Sequence, residues 1–148
     1  EGFENARFED PYAGGIGNSM RYVGMLPRDN ALKVEGLQNV FCGGEKAGLL
    51  VGHTEAIVTG TLAGHNAARA ALGQTPIELP DSLACGDAIA HVRERMQTKE
   101  GLTKKYTFSG SVYFERMKQK NLYTTDITAI QQRVEAAKMK DIFAKPPA

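Results

Sequence analysis

The chain has 148 residues, of which 42% are hydrophobic and 24% are charged, and its formal net charge is +1. This length suits one compact domain, and the composition is that of an ordinary globular protein. No apolar run is long enough to span a membrane and no secretory signal is present, so we expect a cytoplasmic protein. Because the sequence begins with Glu1 and opens like the interior of a domain, we expect a fragment of a longer protein.

Several kinds of chemistry are disfavoured by the residues present. No Ser-His-Asp triad, paired carboxylates or metal-ligand spacing is found, which argues against hydrolytic and metal-dependent catalysis. The two cysteines, Cys42 and Cys85, make neither a disulfide framework nor a metal site. We expect both to be buried in a protein kept under reducing conditions. The sequence therefore predicts no catalytic residue and no metal ligand in this chain.

In chain order, the first element is a strand predicted over Met20–Leu26, followed by a turn at Pro27–Asn30 and a short return strand over Ala31–Val34. The earlier glycine cluster at Gly14–Gly17 neither follows a strand nor opens a helix, so it is not a dinucleotide-binding fingerprint. A third apolar run, Val40–Cys42, is predicted to be a strand that stops at two glycines.

A long helix follows this glycine turn. Thr54 is its predicted N-cap, and Glu55 falls in the first turn, where the positive end of the helix dipole favours a carboxylate. Gly60 and Gly64 share one face, and each interior glycine costs about 1 kcal/mol relative to alanine. Such glycines indicate close approach of the helix backbone to a strand, another helix or a flat ligand. A helix packed on a sheet without any ligand is the alternative.

The second half of the chain is predicted to be helical. Residues 74–80 contain two prolines and are expected to be an extended linker. Three helices are predicted after it, capped by Asp81 or Ser82, by Ser109 or Ser111, and by Asp126. Their buried faces are expected to hold apolar residues at helical spacing: Cys85, Ala88, Ile89, Val92 and Met96 in the first, Val112, Tyr113 and Met117 in the second, and Ile127, Ile130, Val134 and Ala137 in the third.

Charge is divided unevenly between the two halves. Residues 1–73 carry 6 Lys or Arg against 8 Asp or Glu, whereas residues 74–148 carry 12 against 9. Between Lys99 and Lys120 there are six basic and two acidic residues, with four aromatic residues between the basic ones, a pattern able to contact a phosphate backbone. A solvated helix face explains the same pattern.

The segment from Val40 to Ala68 resembles the C-terminal flavin-binding element of FAD-dependent oxidoreductases of the glutathione-reductase type. It is most similar to the tRNA-modifying flavoproteins TrmFO and GidA (also called MnmG). The features shared with those families are the Gly43–Gly44 turn, Glu45, the glycines at 48 and 52, Glu55 and the helical run Gly60–Ala68. Two further matches favour TrmFO within this group: the segment Gly2–Phe8, and the stretch from Ala71–Gln74 through Leu79–Pro80 and Gly86–Asp87.

The resemblance implies an α/β fold: a fragment of a glutathione-reductase-type FAD-binding domain, with short strands and one long helix, followed by an α-helical tail. Residues 1–73 would be the C-terminal segment of the FAD-binding domain, 74–80 the linker and 81–148 the helical region. The adenine and pyrophosphate of FAD need a Gly-x-Gly-x-x-Gly unit, which this sequence lacks. An upstream Rossmann half of the same protein is therefore an expected partner.

The cofactor-binding residues implied by the resemblance lie in the turn and at the start of the helix: Gly43, Gly44, Glu45, Gly52, His53 and Thr54. Glu45 would accept a hydrogen bond from a ribitol hydroxyl, although an exposed turn carboxylate is the plain alternative. The helix start would face the pyrimidine side of the flavin ring, where negative charge collects on reduction. His53 is a candidate general acid, or more simply a structural hydrogen-bond donor.

The complete protein implied by the resemblance modifies uridine in tRNA. In TrmFO, reduced FAD and a folate carbon donor methylate position 5 of the base, so folate and NAD(P)H are possible further cofactors; the fragment alone is expected to be inactive. Two alternatives stay open at this point: a non-catalytic helical module that binds a protein partner or RNA, and an FAD oxidoreductase unrelated to tRNA.

Overall fold

A computed structural model describes residue 4 and residues 25–48 and 50–144. The segment Gly2–Phe8, the glycine cluster Gly14–Gly17 and the predicted strand Met20–Leu26 lie wholly or mostly outside the described residues. The described part contains a short 3-10 turn (Gly44–Ala47), five α-helices and one two-residue strand: α1 His53–Ala71, α2 Ala84–Arg95, α3 Lys99–Leu102, β1 Tyr106–Thr107, α4 Ser111–Gln119 and α5 Ile127–Ala136.

Among the described residues, the return strand predicted over Ala31–Val34 meets its neighbours only at single bridges. Antiparallel bridges join Arg28 to Val34 and Lys33 to Phe41. The Cys42 amide also donates to the carbonyl oxygen of Leu32 at 2.9 Å. The pairing stays short because the chain reverses direction every few residues, with a positive φ of 66° at Leu32 and of 77° at Gly36.

Two apolar clusters make up the core, and α2 belongs to both. Ile89 packs with residues from the first half of the chain: Leu32, Val34, Cys42, Ala47, Leu62 and Ala63. Ala88 and Val92 pack instead with Leu50, which precedes α1, and with tail residues: Tyr106, Tyr113 and Met117. The segments on either side of residues 74–80 therefore share their cores.

The extended segment 74–80 is held against α1 by Asn66, whose side chain is fully buried. Asn66 Nδ2 donates to the carbonyl oxygen of Ile77 at 2.8 Å, and its Oδ1 accepts from the Ile77 amide at 2.7 Å. The same Nδ2 also donates to the carbonyl oxygen of Ala31 at 2.9 Å. One side chain thus ties three segments together, because it supplies both a donor and an acceptor.

The tail agrees with the sequence prediction in part. The Asp126 cap is confirmed, because its Oδ1 accepts from the Thr128 amide at 2.8 Å and the Ala129 amide at 3.3 Å. The predicted caps of α2 and α4 are wrong, since Leu83 and Gly110 hold those positions without a side-chain hydrogen bond. Helix α3 and strand β1 had not been predicted.

The predicted burial of the tail helices is correct for Ala88, Ile89 and Val92 of α2, whereas Cys85 and Met96 are only half-buried. The prediction fails for α5. Tyr113 and Met117 of α4 are buried as expected, whereas Val112 is 44% exposed. Helix α5 has no buried residue, and Ile127 and Ile130 are 70% and 43% exposed. The apolar spacing identifies which face of α5 is apolar, but only the tertiary arrangement decides whether another element covers it.

Candidate functional site

The glycine turn packs directly on the backbone of α1. A Cβ placed on Gly43 would lie 2.9 Å from both the Cα and the N of Gly60, and 3.1 Å from the carbonyl carbon of Thr59. A Cβ on Gly60 would meet no atom within 4 Å. The contact therefore requires glycine at position 43. It is a close approach of the helix backbone, as the interior glycines of α1 predicted. At Gly64, a Cβ also meets no described atom within 4 Å.

The Gly44 amide is used inside the protein. It donates to Thr59 Oγ1 at 2.7 Å, and that hydroxyl donates to the carbonyl oxygen of Glu55 at 2.8 Å. Gly44 has a φ of +60°, and a Cβ on it would meet only the Ala56 side chain, at 3.9 Å. The Gly44 amide thus faces the helix, not a ligand, while the Cα side of the same residue is open.

Helix α1 begins earlier than expected. Its N-cap is Gly52, with φ 143° and no side-chain cap, so the prediction of Thr54 as N-cap is wrong. The Val51 amide donates to the carbonyl oxygen of Tyr106 at 3.3 Å. This hydrogen bond fixes the position of the residue that precedes the N-cap. Gly52, His53 and Thr54 are all exposed. The first residues of the helix are therefore open to solvent, while the side chain of Glu55 folds back toward Gly52.

Glu55 is almost completely buried in the first turn of α1, with 3% of its surface exposed. Its Oε1 accepts from the Phe108 amide at 2.6 Å. A Cβ on Gly52 would lie 2.3 Å from Glu55 Oε2, so the carboxylate lies next to the N-cap of the helix. The sequence places Glu55 in the first turn, but neither its burial nor its partner in the tail could be predicted from local spacing.

The six predicted cofactor-binding residues lie in one turn-and-helix unit. Gly43 and Gly44 contact α1 at its second and third turns, while Gly52, His53 and Thr54 form its start. Glu45 lies in the 3-10 turn and is half-buried. This unit offers an open helix end beside a backbone turn of low side-chain bulk. The cofactor-binding roles of these six residues stay a prediction.

Arg28 is a buried cation that the sequence analysis had placed in a simple turn. Its Nε donates to the carbonyl oxygen of Ala47 at 2.9 Å, and its Nη1 donates to that of Ile89 at 2.9 Å. Burial lowers the pKa of the Arg28 guanidinium to about 10. Because Ala47 ends the 3-10 turn and Ile89 lies in α2, Arg28 links the glycine turn to the tail. Its partners are 19 and 61 residues away in sequence, so no local pattern could indicate them.

Asp87 is the buried acid of the tail, with 1% of its surface exposed. Arg116 binds it through two hydrogen bonds of 2.8 Å, and Lys120 and the Tyr113 hydroxyl also contact it. Burial alone would raise the pKa of Asp87, but the hydrogen bonds from Arg116 and Lys120 outweigh it and hold the pKa below its usual value. The cluster fastens α4 to α2.

Two further properties concern the described residues only. Within residues 25–48 and 50–144, no group of three or more His, Cys, Asp or Glu side chains is placed to hold a metal ion. None of the helices in this part of the chain is both long enough and apolar enough to cross a membrane.

The family model described as "Glucose inhibited division protein A" matches residues 1–75, which is just over half of the chain. The chain belongs to this family. Its members are FAD-dependent tRNA-modifying flavoproteins, so FAD binding, oxidoreductase chemistry and tRNA processing are the activities of the family. The matched residues include the glycine turn and all of α1. Comparison with curated proteins and with solved structures found no match.

Proposed function

We propose that this chain supplies the flavin-ring side of the FAD site in a tRNA-uridine-modifying enzyme. The supporting observation is that the family match covers an open helix start beside a glycine turn. Gly43, Gly44, Glu45, Gly52, His53 and Thr54 are the residues that would hold the cofactor. When bound, FAD supplies two-electron redox chemistry.

The open end of α1 is chemically suited to the ring more than to the pyrophosphate of FAD. The positive end of a 19-residue helix attracts negative charge, and charge develops on a flavin ring when it is reduced. A doubly charged pyrophosphate would lie close to the buried Glu55 carboxylate at the same end. Like-charge repulsion therefore disfavours the phosphates there. In this proposal Glu45, which lies in the 3-10 turn, accepts from a ribitol hydroxyl.

The rest of the FAD site must come from another part of the protein. The chain has no Gly-x-Gly-x-x-Gly unit to hold the adenine and pyrophosphate. We infer that an upstream Rossmann half completes the site and carries the catalytic groups. In this proposal the chain is the C-terminal part of a cytoplasmic glutathione-reductase-type flavoprotein and is inactive without the upstream half.

For the reaction itself, we propose methylation of position 5 of a tRNA uridine, as in TrmFO, with folate as carbon donor and NAD(P)H as reductant. The support for this is the resemblance to TrmFO of Gly2–Phe8 and of the stretch from Ala71–Gln74 through Leu79–Pro80 and Gly86–Asp87. The test is nucleoside analysis of tRNA from cells that lack the gene. Loss of 5-methyluridine supports the proposal. Loss of a different 5-substituted uridine would assign the GidA-type reaction instead, and unchanged uridines would refute both.

A helical interaction module is the second candidate, and the exposed apolar face of α5 favours it. Two adjacent cavities of about 410 and 460 Å³ run beneath α5, and both are lined by Val58, Leu83, Cys85 and Val134. The basic residues of the tail offer less support for RNA contact, because most are paired with acids: Lys104 with Glu100, Lys118 with Glu115, and Arg116 and Lys120 with Asp87. Complete protein purified without bound flavin would favour this second candidate.

A further inference from the structure

A buried carboxylate occupies the end of α1 that the proposed function assigns to the flavin ring. Glu55 Oε2 lies against the Cα of Gly52, where a Cβ would come within 2.3 Å of it. Its Oε1 accepts from the Phe108 amide at 2.6 Å. Among the described residues, no Lys or Arg forms an ion pair with Glu55. Within the part of the chain that the structure describes, the hydrogen bond that holds this carboxylate comes from the neutral backbone amide of Phe108.

The carboxylate of Glu55 opposes the stabilisation of negative charge that the start of α1 would provide by itself. The amides and dipole at the start of α1 favour negative charge nearby and so favour the reduced ring. A carboxylate held at the same end opposes them, because like charges repel strongly where water is excluded. Two-electron reduction adds two electrons and one proton to FAD and leaves one negative charge on the ring, so the carboxylate disfavours the reduced form.

We propose that Glu55 sets the reduction potential of the flavin, lowering it below the value that the open end of α1 would otherwise impose. This rests on the proposed function, since it needs the flavin ring at α1. Glu55 acts as a positioning charge and is not a catalytic residue. The tail helps to position this charge, because the amide of Phe108, the residue after β1, donates to the carboxylate of Glu55.

The helix and the tail are linked by two further contacts that make this position rigid. Leu50 forms a parallel bridge with Tyr106, and the Val51 amide donates to the carbonyl oxygen of Tyr106 at 3.3 Å. Tyr106 is itself buried, with 1% of its surface exposed. The tail segment that holds Glu55 is thus anchored immediately before α1 begins, and the charge stays in one place relative to the helix end.

The test is the flavin potential of the complete FAD-loaded protein carrying Glu55→Gln, which removes the charge and keeps an oxygen that can accept from the Phe108 amide. Slow enzymatic reduction by xanthine and xanthine oxidase beside a reference dye gives the equilibrium between oxidised and reduced flavin. Two unit charges about 10 Å apart at an effective dielectric constant near 20 shift such an equilibrium by roughly tenfold. We expect Glu55→Gln to favour reduction about tenfold, equivalent to about 30 mV.

Two further variants separate charge from structure. Glu115→Gln makes the same charge change on α4, at a 61% exposed side chain paired with Lys118, and should leave the potential unchanged. Glu55→Asp keeps the charge but shortens the reach to Phe108, and should stay within about threefold of wild type. If Glu55→Gln does not retain FAD, a tenfold rise in the Glu55→Asp potential would still overturn the role of Glu55.

The outcomes are distinguishable. An unchanged potential in Glu55→Gln, or an Glu55→Asp potential that rises tenfold, would overturn the role of Glu55 while leaving the flavin site in place. A complete wild-type protein that binds no FAD would instead overturn the proposed function.

Discussion

Replacing Gly43 with alanine is expected to destabilise the fold by about 1–3 kcal/mol, the usual cost of adding a methyl group to a packed site. The added Cβ would lie 2.9 Å from two backbone atoms of Gly60 and 3.1 Å from the carbonyl carbon of Thr59. These atoms belong to a helix, so no side chain can rotate away to make room. Gly43 has φ −133° and ψ 174°, an extended conformation open to any residue, so the penalty is purely steric.

Urea unfolding followed by circular dichroism measures this effect. With a slope of about 1–3 kcal/mol/M, a loss of about 2 kcal/mol lowers the midpoint by roughly 1 M. The matched control is Gly60→Ala, on the other side of the same contact, where a Cβ meets nothing within 4 Å. That control should be stabilised by about 0.5–1 kcal/mol, because alanine favours a helix over glycine. Equal midpoints for Gly43→Ala and wild type would refute the packing of the turn on α1.

Three other substitutions test the buried polar contacts and the tail. Asp87→Asn should cost about 3 kcal/mol at neutral pH, the lower end for a broken buried pair because Arg116 is partly exposed. Folding lowers the pKa of Asp87, so the ionised carboxylate stabilises the fold at neutral pH, and this stabilisation is lost as the pH falls below about 4. The free energy of unfolding of the wild-type protein should therefore fall more steeply below that pH than that of Asp87→Asn. Asn66→Ala should lower the free energy of unfolding by about 3 kcal/mol, because it leaves buried backbone groups of Ala31 and Ile77 unpaired. Hydrogen exchange at the Ile77 amide should become faster, and a loss of global stability under 1 kcal/mol would count against the role of Asn66 in joining these segments. Asp126→Ala should destabilise α5 alone by about 1 kcal/mol, because it removes the N-cap of that helix. Amide hydrogen exchange should become faster in α5 and stay unchanged in the core. A drop in global stability would contradict the exposure of α5.

The parts of the fold that follow from local chemistry could be predicted. The length of α1 follows from a run without proline, and its interior glycine signalled the close contact that Gly43 makes with Gly60. Asp126 could be identified as a cap because its side chain bonds amides two and three residues later. In both cases the residues that interact are close in sequence or lie on one helix face, where spacing carries information.

The missed features depend on partners that are distant in sequence. Asn66 binds Ala31, 35 residues away, and Glu55 binds Phe108, 53 residues away. The N-cap moved from Thr54 to Gly52 for the same reason, since pairing of Val51 with Tyr106 fixes where the chain enters the helix. Local propensity is a weak prior that tertiary contacts override.

The candidate site likewise has features that the sequence predicts and features that depend on tertiary packing. The sequence pattern places the glycine turn before the helix and identifies its residue types, and the family match covers the same segment. It did not show that the Gly44 amide is taken by Thr59, because a turn's amide directions depend on the packing of the turn. Nor did it show that the helix end carries a buried carboxylate.

The flavin content of the complete protein with Gly44→Val, measured against Gly36→Val, tests the central claim most directly. Both glycines have positive φ, +60° and +77°, so valine strains the backbone equally at either position. Only Gly44 lies in the turn proposed to face the cofactor. Gly44→Val should lose the flavin absorbance band, while Gly36→Val should keep it. Equal FAD content in the two variants would contradict the placement of the flavin at this turn.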